Sequence, residues 1–281
     1  MSPLVFSAVL GAAVLHAAWN AAVKVKADRL TLLAIMMVCQ AVLAIFLLPF
    51  VTTPPPEAWP FILLSTVFHT GYFLFLIQAY KHGEFSHVYP IARGSAPLII
   101  AIVSAIMLGE TLNSQATLGI GLIAVGIMSL VLTRMQQGLR DRTALLYALG
   151  TGVFIASYSI ADGLGARASE SSQSYLIWLN LFNGLPIVLV AIALRRGHMK
   201  EQVQSLWKYA LFSGGISLLA YWMVLWAMTQ APLALVSAVR ETSIIFALLI
   251  GVIFLKEKIS LTKLAATAVT VVGAVVLRSN K

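Results

Sequence analysis

Two stretches decide how this chain folds: "ARGSAPLIIAIVSAIMLGE" at residues 92–110 and "VRETSIIFALLIGVIFLKE" at residues 239–257. Each carries an arginine as its second residue, runs on through apolar side chains and ends in glutamate. Arg93 to Glu110 is 17 residues, and so is Arg240 to Glu257. Glu110 to Gly126 is 16 residues, and Glu257 to Gly273 repeats that spacing. Spacings held this closely between two distant stretches mark an internal repeat.

Outward from these stretches, the rest of the chain divides the same way. Apolar residues make up 60% of it and charged residues 10%, against roughly 45–50% and about 25% in soluble domains. The apolar residues fall in blocks of about 20, the length that spans a bilayer as a helix. The fold class is therefore all-α, a polytopic membrane protein. Ten spans are predicted, near 3–23, 30–51, 58–80, 87–108, 115–133, 143–164, 173–194, 205–229, 232–255 and 261–278. The two decisive stretches fall on spans four and nine, the fourth of each half. Tyr72 and Tyr221 occupy nearly equal registers on the third spans. Five spans per half is an odd number, so the halves have opposite orientations in the membrane. The organisation expected is an inverted repeat of 1–134 and 143–281, joined by a polar loop at 135–142, as in many secondary transporters.

Charge patterning sets the orientation and excludes some functions. The net charge is +9, but the basic residues sit between apolar blocks, where they face headgroups rather than nucleic acid. Of the 19 Lys and Arg residues, 14 lie in the loops after spans one, three, five, seven and nine. Only Arg167, Arg278 and Lys281 lie on the other face, which also carries both termini. The positive-inside rule then places both termini outside the cytoplasm. The first block has no basic residue before it and reads as a membrane helix rather than a cleaved signal. Cys39 is the single cysteine, a packed side chain without a disulfide partner.

Ionisable groups inside a span cost at least about 2.5–3.5 kcal/mol on insertion scales, so they face a cavity or a partner. Arg93 and Arg240 are the clearest. Each lies about seven residues into its span, which leaves its backbone roughly 6 Å from the midplane, on opposite sides because the halves are inverted. Around them the spans offer His16, Trp19 and Asn20 on span one, Tyr72 on span three, and Tyr89 on span four, one turn before Arg93. Tyr158, Asn180, Tyr221 and Trp222 complete the candidate substrate-binding set. Glu241, Asp162 and His69 are candidates for gating or proton coupling. Lys24 reads as a snorkelling interfacial lysine. Glu110 and Glu257 read as structural acids near the N-termini of spans five and ten. Gly119, Gly121, Gly126 and Gly273 read as close-packing sites.

No P-loop, H-E-x-x-H or G-x-S-x-G motif occurs, and His and Cys are not clustered at metal-ligand spacing, so neither an enzyme, a cofactor nor a metal is expected. The expected partners are a small-molecule substrate and the lipid bilayer of an inner or plasma membrane, with no nucleic acid, for a monomer or homodimer.

The two five-span halves, "HAAWNAAVK" on span one, and Pro97 placed before the closing Gly109–Glu110 pair resemble the drug/metabolite transporter superfamily, EamA type, over essentially the whole chain. The resemblance implies secondary transport of small metabolites by alternating access, often export, through a central cavity between the halves. It also implies cytoplasmic termini, the reverse of the charge count. Two buried guanidiniums suit carboxylate or phosphate. The aromatic side chains suit an apolar body or a cationic group. An amino-acid-like zwitterion or an aminophosphonate meets both demands, and the span-one "HAxWN" pattern resembles a branch associated with phosphonate utilisation. The alternatives are a carrier of hydrophobic or cationic drug-like compounds, and a closed scaffold or lipid-binding subunit without a transport cycle.

Overall fold

All ten predicted spans are helical in a computed structural model of the protein, which describes residues 1–24, 29–83, 85–132, 142–194, 199–254, 256 and 260–279. The helices are α1 (Pro3–Lys24), α2 (Arg29–Leu47), α3 (Trp59–His82), α4 (Phe85–Met107), α5 (Ser114–Leu132), α6 (Arg142–Ala168), α7 (Ser172–Leu194), α8 (Met199–Gln230), α9 (Leu233–Arg240), α10 (Ser243–Ile253) and α11 (Leu261–Ser279). The boundaries differ most where α8 starts before residue 205 and α6 runs past residue 164, because hydropathy marks the apolar segment and not the full helix. The inter-repeat loop, the Lys24 side chain and Glu257 lie outside the described residues.

Helix neighbours obey the exchange of halves that an inverted repeat demands. The α3–α6 contact has its counterpart in α8–α1, and α4–α6 in the packing of α9 and α10 on α1. The α5–α11 and α2–α7 contacts map onto themselves. The main buried core is shared by both halves, from Val9 and Ile123 to Leu179 and Val239. Large apolar side chains such as Leu64, Val67, Ile106, Leu146 and Val272 remain exposed around the outside, as a lipid-facing surface requires.

The ninth span falls where it was expected, at Leu233–Ile253. The crossing is two helices, interrupted at Glu241 and Thr242. There the backbone shifts from i−4 to i−3 bonding: Thr242 N–H donates to Val239 O at 3.0 Å, Ile244 to Glu241 O at 3.1 Å and Ile245 to Thr242 O at 2.9 Å. This tighter turn has poorer hydrogen-bond geometry and marks a local irregularity at membrane depth. Neither Pro nor Gly announces it. The equivalent α4 stays helical but carries Pro97, which has no N–H for the carbonyl four residues back, that of Arg93. Both halves therefore loosen the helical backbone beside their arginine, by different means.

The α5–α11 crossing explains part of the glycine pattern. A Cβ on Gly126 would lie 2.9 Å from Ala266 O, and one on Gly273 would lie 2.9 Å from Gly119 O. The backbones touch, as small residues permit at membrane-helix crossings. Gly121 is a correction, since it faces open space. Gly273→Leu is expected to destabilise the protein by about 1–3 kcal/mol through overpacking, whereas Gly121→Leu leaves its thermal melt in detergent unchanged.

Candidate functional site: a buried arginine pair and a hydroxyl-held carboxylate

Arg93 and Arg240 meet on one carboxylate. Arg93 Nε donates to Glu241 Oε2 at 2.7 Å, and its Nη2 reaches Ser243 Oγ at 3.5 Å. Arg240 Nη2 lies 3.6 Å from the other oxygen, Glu241 Oε1. That is an ion contact without a hydrogen bond: Arg240 Nε and Nη2 and Glu241 Oε1 have no hydrogen-bond partner among the described residues. Glu241 is wholly buried, and Arg93 and Arg240 are 7% and 4% exposed. The turn after α9 makes this geometry possible, because it aims adjacent residues of one strand of chain at a shared centre. Tyr89 stands one turn before Arg93, with the guanidinium 5.8 Å from its ring centroid.

Aromatic side chains connect this centre to a second carboxylate. Tyr158 on α6 interacts electrostatically with Arg240, Arg93, Glu241 and Asp162. His69 stacks on Tyr158 with ring centroids 3.9 Å apart, and Tyr72 meets Tyr158 edge-on at 5.9 Å. One turn beyond Tyr158, Asp162 is wholly buried. The helix continues six residues past it, to Ala168. Asp162 Oδ1 accepts from Tyr175 Oη at 2.9 Å, and its Oδ2 accepts from Tyr221 Oη. Among the described residues no basic group pairs with it.

The remaining candidates are less central. His16 on α1 interacts electrostatically with both guanidiniums. Asn20 spends its amide on the His16 carbonyl at 2.7 Å, and Asn180 does the same with Leu176 O at 2.8 Å. Trp19 packs beside Leu32, Met36 and Ala210, and Trp222 packs against the main core.

Tyr175, Ser65 and Ser243 were not singled out from the sequence. Ser65 Oγ lies 3.0 Å from His69 Nδ1. The one available signal for Tyr175 was Gly165: a Cβ there would lie 2.7 Å from the Tyr175 hydroxyl oxygen, so the glycine makes room for the ring.

A third cluster joins the halves on the face that carries the termini. Gly109, at φ 64°, ends α4 in a left-handed turn that suits glycine. The chain then presents Glu110 to the α8–α9 corner. Glu110 Oε2 accepts from Leu233 N–H at 3.0 Å, and Oε1 accepts from Arg167 Nη2 at 2.9 Å. Arg167 also donates to Met228 O at 2.8 Å and Ala231 O at 3.0 Å. Glu110 thus serves the N-terminus of α9 rather than that of α5, as was expected. The reason is local: Asn113 Oδ1 already caps α5 through Ala116 N–H at 2.8 Å, whereas Pro232 before α9 offers no side-chain acceptor. A pocket of about 380 Å³ lies alongside, lined by Met1, Leu112, Asn113, Pro232 and Leu235 among others.

No curated protein sequence matches the chain. Among solved structures, 29 chains match. One, described only as the crystal structure of a protein, superimposes with a TM-score of 0.76 at 20% identity, covering 97% of this chain and 94% of its own. That likeness establishes a shared fold. A family model, the EamA-like transporter family, matches residues 3–132 and 142–279. With two matched repeats on a ten-span helical bundle, this chain belongs to the EamA-like transporter family of the drug/metabolite transporter superfamily.

Proposed function

We propose that this membrane transporter carries a small zwitterionic or anionic metabolite, of amino-acid or aminophosphonate type, by alternating access. One observation carries the reading. Two buried guanidiniums share a single carboxylate, so the trio of Arg93, Arg240 and Glu241 by itself carries one more positive than negative group. Arg240 keeps two N–H-bearing nitrogens without hydrogen bonds. Buried charges are paired in stable proteins, and a planar guanidinium is shaped for carboxylate or phosphonate. A substrate acid group at Arg240 answers both demands. Tyr72, Tyr89 and Tyr158 supply aromatic surface for its body, and Glu241 leaves one oxygen free of hydrogen bonds for an ammonium. A thermal-shift screen of amino acids, aminophosphonates and phosphorylated metabolites tests this. Stabilisation by an acid and not by its neutral ester or amide supports the reading, and stabilisation by apolar cations alone overturns it.

The Glu110–Arg167 cluster supports a role as the gate on the terminal face, because it ties the α4–α5 link of one half to α6, α8 and α9 of the other. Losing a charge-assisted bond worth about 1.5–3 kcal/mol shifts an opening equilibrium by roughly 10–150-fold. In a Cys39→Ser background carrying Ser237→Cys, Arg167→Ala is expected to speed labelling by an impermeant thiol reagent from that face by about tenfold or more. An unchanged labelling rate would leave the cluster as a purely static contact.

A further inference from the structure

The two central carboxylates are held by opposite chemistry. Glu241 contacts two guanidiniums, which carry no acceptor and can only donate to it. Asp162 accepts from two hydroxyls, those of Tyr175 and Tyr221, and His69 interacts with it electrostatically. A hydroxyl both donates and accepts, so each partner can turn to receive a proton from Asp162 as readily as give one to the carboxylate. Such a shell accommodates both the charged and the neutral acid without any side chain leaving its place. From the geometry we infer that Asp162 is a proton-binding site of the transport cycle, loaded together with an anionic substrate at the arginine pair.

Every element packed on α6 fits this assignment. From α3 the carboxylate faces His69 and Ser65, from α7 Tyr175 and from α8 Tyr221. Tyr158 lies one turn back on its own helix. Arg93 from α4, and Arg240 with Glu241 from α9 and the turn after it, address Tyr158 rather than Asp162. Glu57, in the 3-10 turn packed on α6, is exposed. Ser65 Oγ and Ser65 O both lie 3.0 Å from His69 Nδ1, which holds the imidazole on the side of α3 that addresses Asp162. Tyr158 interacts electrostatically with both arginines and with Asp162 and so links the two centres.

Charge then sets the direction of coupling. With histidines neutral, the two arginines, Glu241 and ionised Asp162 sum to zero. A proton on Asp162 leaves the cluster with one positive charge, ready for an anion. Proton and anion therefore bind cooperatively, and by reciprocity each raises the affinity of the other. This coupling rests on the substrate reading above, whereas proton binding at Asp162 does not. It predicts that proton and anion move in the same direction.

The site is testable without a ligand. Purified protein in nanodiscs, titrated with acid under infrared difference spectroscopy, is expected to show a carboxylic-acid C=O band. Asp162→Asn removes that band, and Tyr221→Phe, which keeps the ring and deletes one hydrogen bond, moves it to higher wavenumber. A titrating band that survives in Asp162→Asn, or a wild-type spectrum that the substitution leaves unchanged, overturns the assignment. Coupling is read with the acid that stabilises the protein in the amino-acid and aminophosphonate screen. Acidification should tighten its binding by about tenfold in wild type and not in Asp162→Asn, with proton uptake reported by a pH dye in proteoliposomes. Substrate entry without proton entry in wild type defeats the coupling. If no acid in the screen binds, the substrate reading fails, and the infrared arm still decides the proton site.

Discussion

Arg240→Ala is expected to abolish ligand-induced stabilisation and to cut transport by about 10–150-fold, the value of one charge-assisted contact of about 1.5–3 kcal/mol. The fold survives the change. Arg240 Nε and Nη2 make no hydrogen bond to the described residues, and removing the side chain leaves Arg93 and Glu241 as a pair at 2.7 Å. Breaking a buried pair is costly because it strands a charge, and here Glu241 keeps Arg93 as its partner. The melting temperature in detergent should therefore equal or exceed that of the wild type while binding is lost. Arg240→Lys keeps the charge but not the planar fork and should recover only part of the affinity. Wild-type transport in Arg240→Ala would remove this arginine from the substrate site.

Glu241→Gln should act in the opposite way. It leaves two buried guanidiniums facing each other without a counter-charge, and removing one partner of a buried pair costs about 3–5 kcal/mol. The expected result is a large fall in melting temperature and in the yield of monodisperse protein. Arg93→Met in the same chain should restore much of the loss, because it removes the stranded cation. A double-mutant cycle over Arg93 and Glu241 then measures their coupling directly. A Glu241→Gln protein as stable as the wild type would mean that another group neutralises the arginines. The two single substitutions thus separate a residue kept for substrate from one kept for the fold, although they are neighbours in the chain.

Much of this architecture was legible in the sequence, and each part for a physical reason. A bilayer obliges every spanning backbone to satisfy its own hydrogen bonds, so an apolar block of the right length has little choice but to be a helix. The matched intervals Arg93–Glu110 and Arg240–Glu257 revealed the repeat, because equivalent helices of an inverted pair keep the same spacing while lying on opposite sides of the midplane. The cost of an ionisable group in the membrane made Arg93, Arg240, Glu241 and Asp162 conspicuous. Residues such as Asn20 and Asn180 were conspicuous for the same reason, yet their amides turn back onto their own helices. Residue type records the capacity to bond and not the partner chosen.

Partner choice came from the tertiary structure, because it depends on contacts between residues far apart in sequence. Nothing in "VRETS" says that Glu241 bonds Arg93, 148 residues away. Nor does that stretch signal the tighter turn at Glu241 and Thr242, since it contains neither Pro nor Gly. Glu110 looked like a local helix acid and instead serves α9, because Asn113 had already capped α5. Tyr175 was invisible beside Asp162 until α6 and α7 were packed together. The sequence by itself determined the membrane class, the ten spans, the repeat and the short inventory of buried charges, all of which follow from solvation energies summed along the chain. Only the tertiary structure decided which charge answers which. It left one arginine with unfilled hydrogen bonds and one carboxylate among hydroxyls, because only the assembled fold holds the two halves within bonding distance.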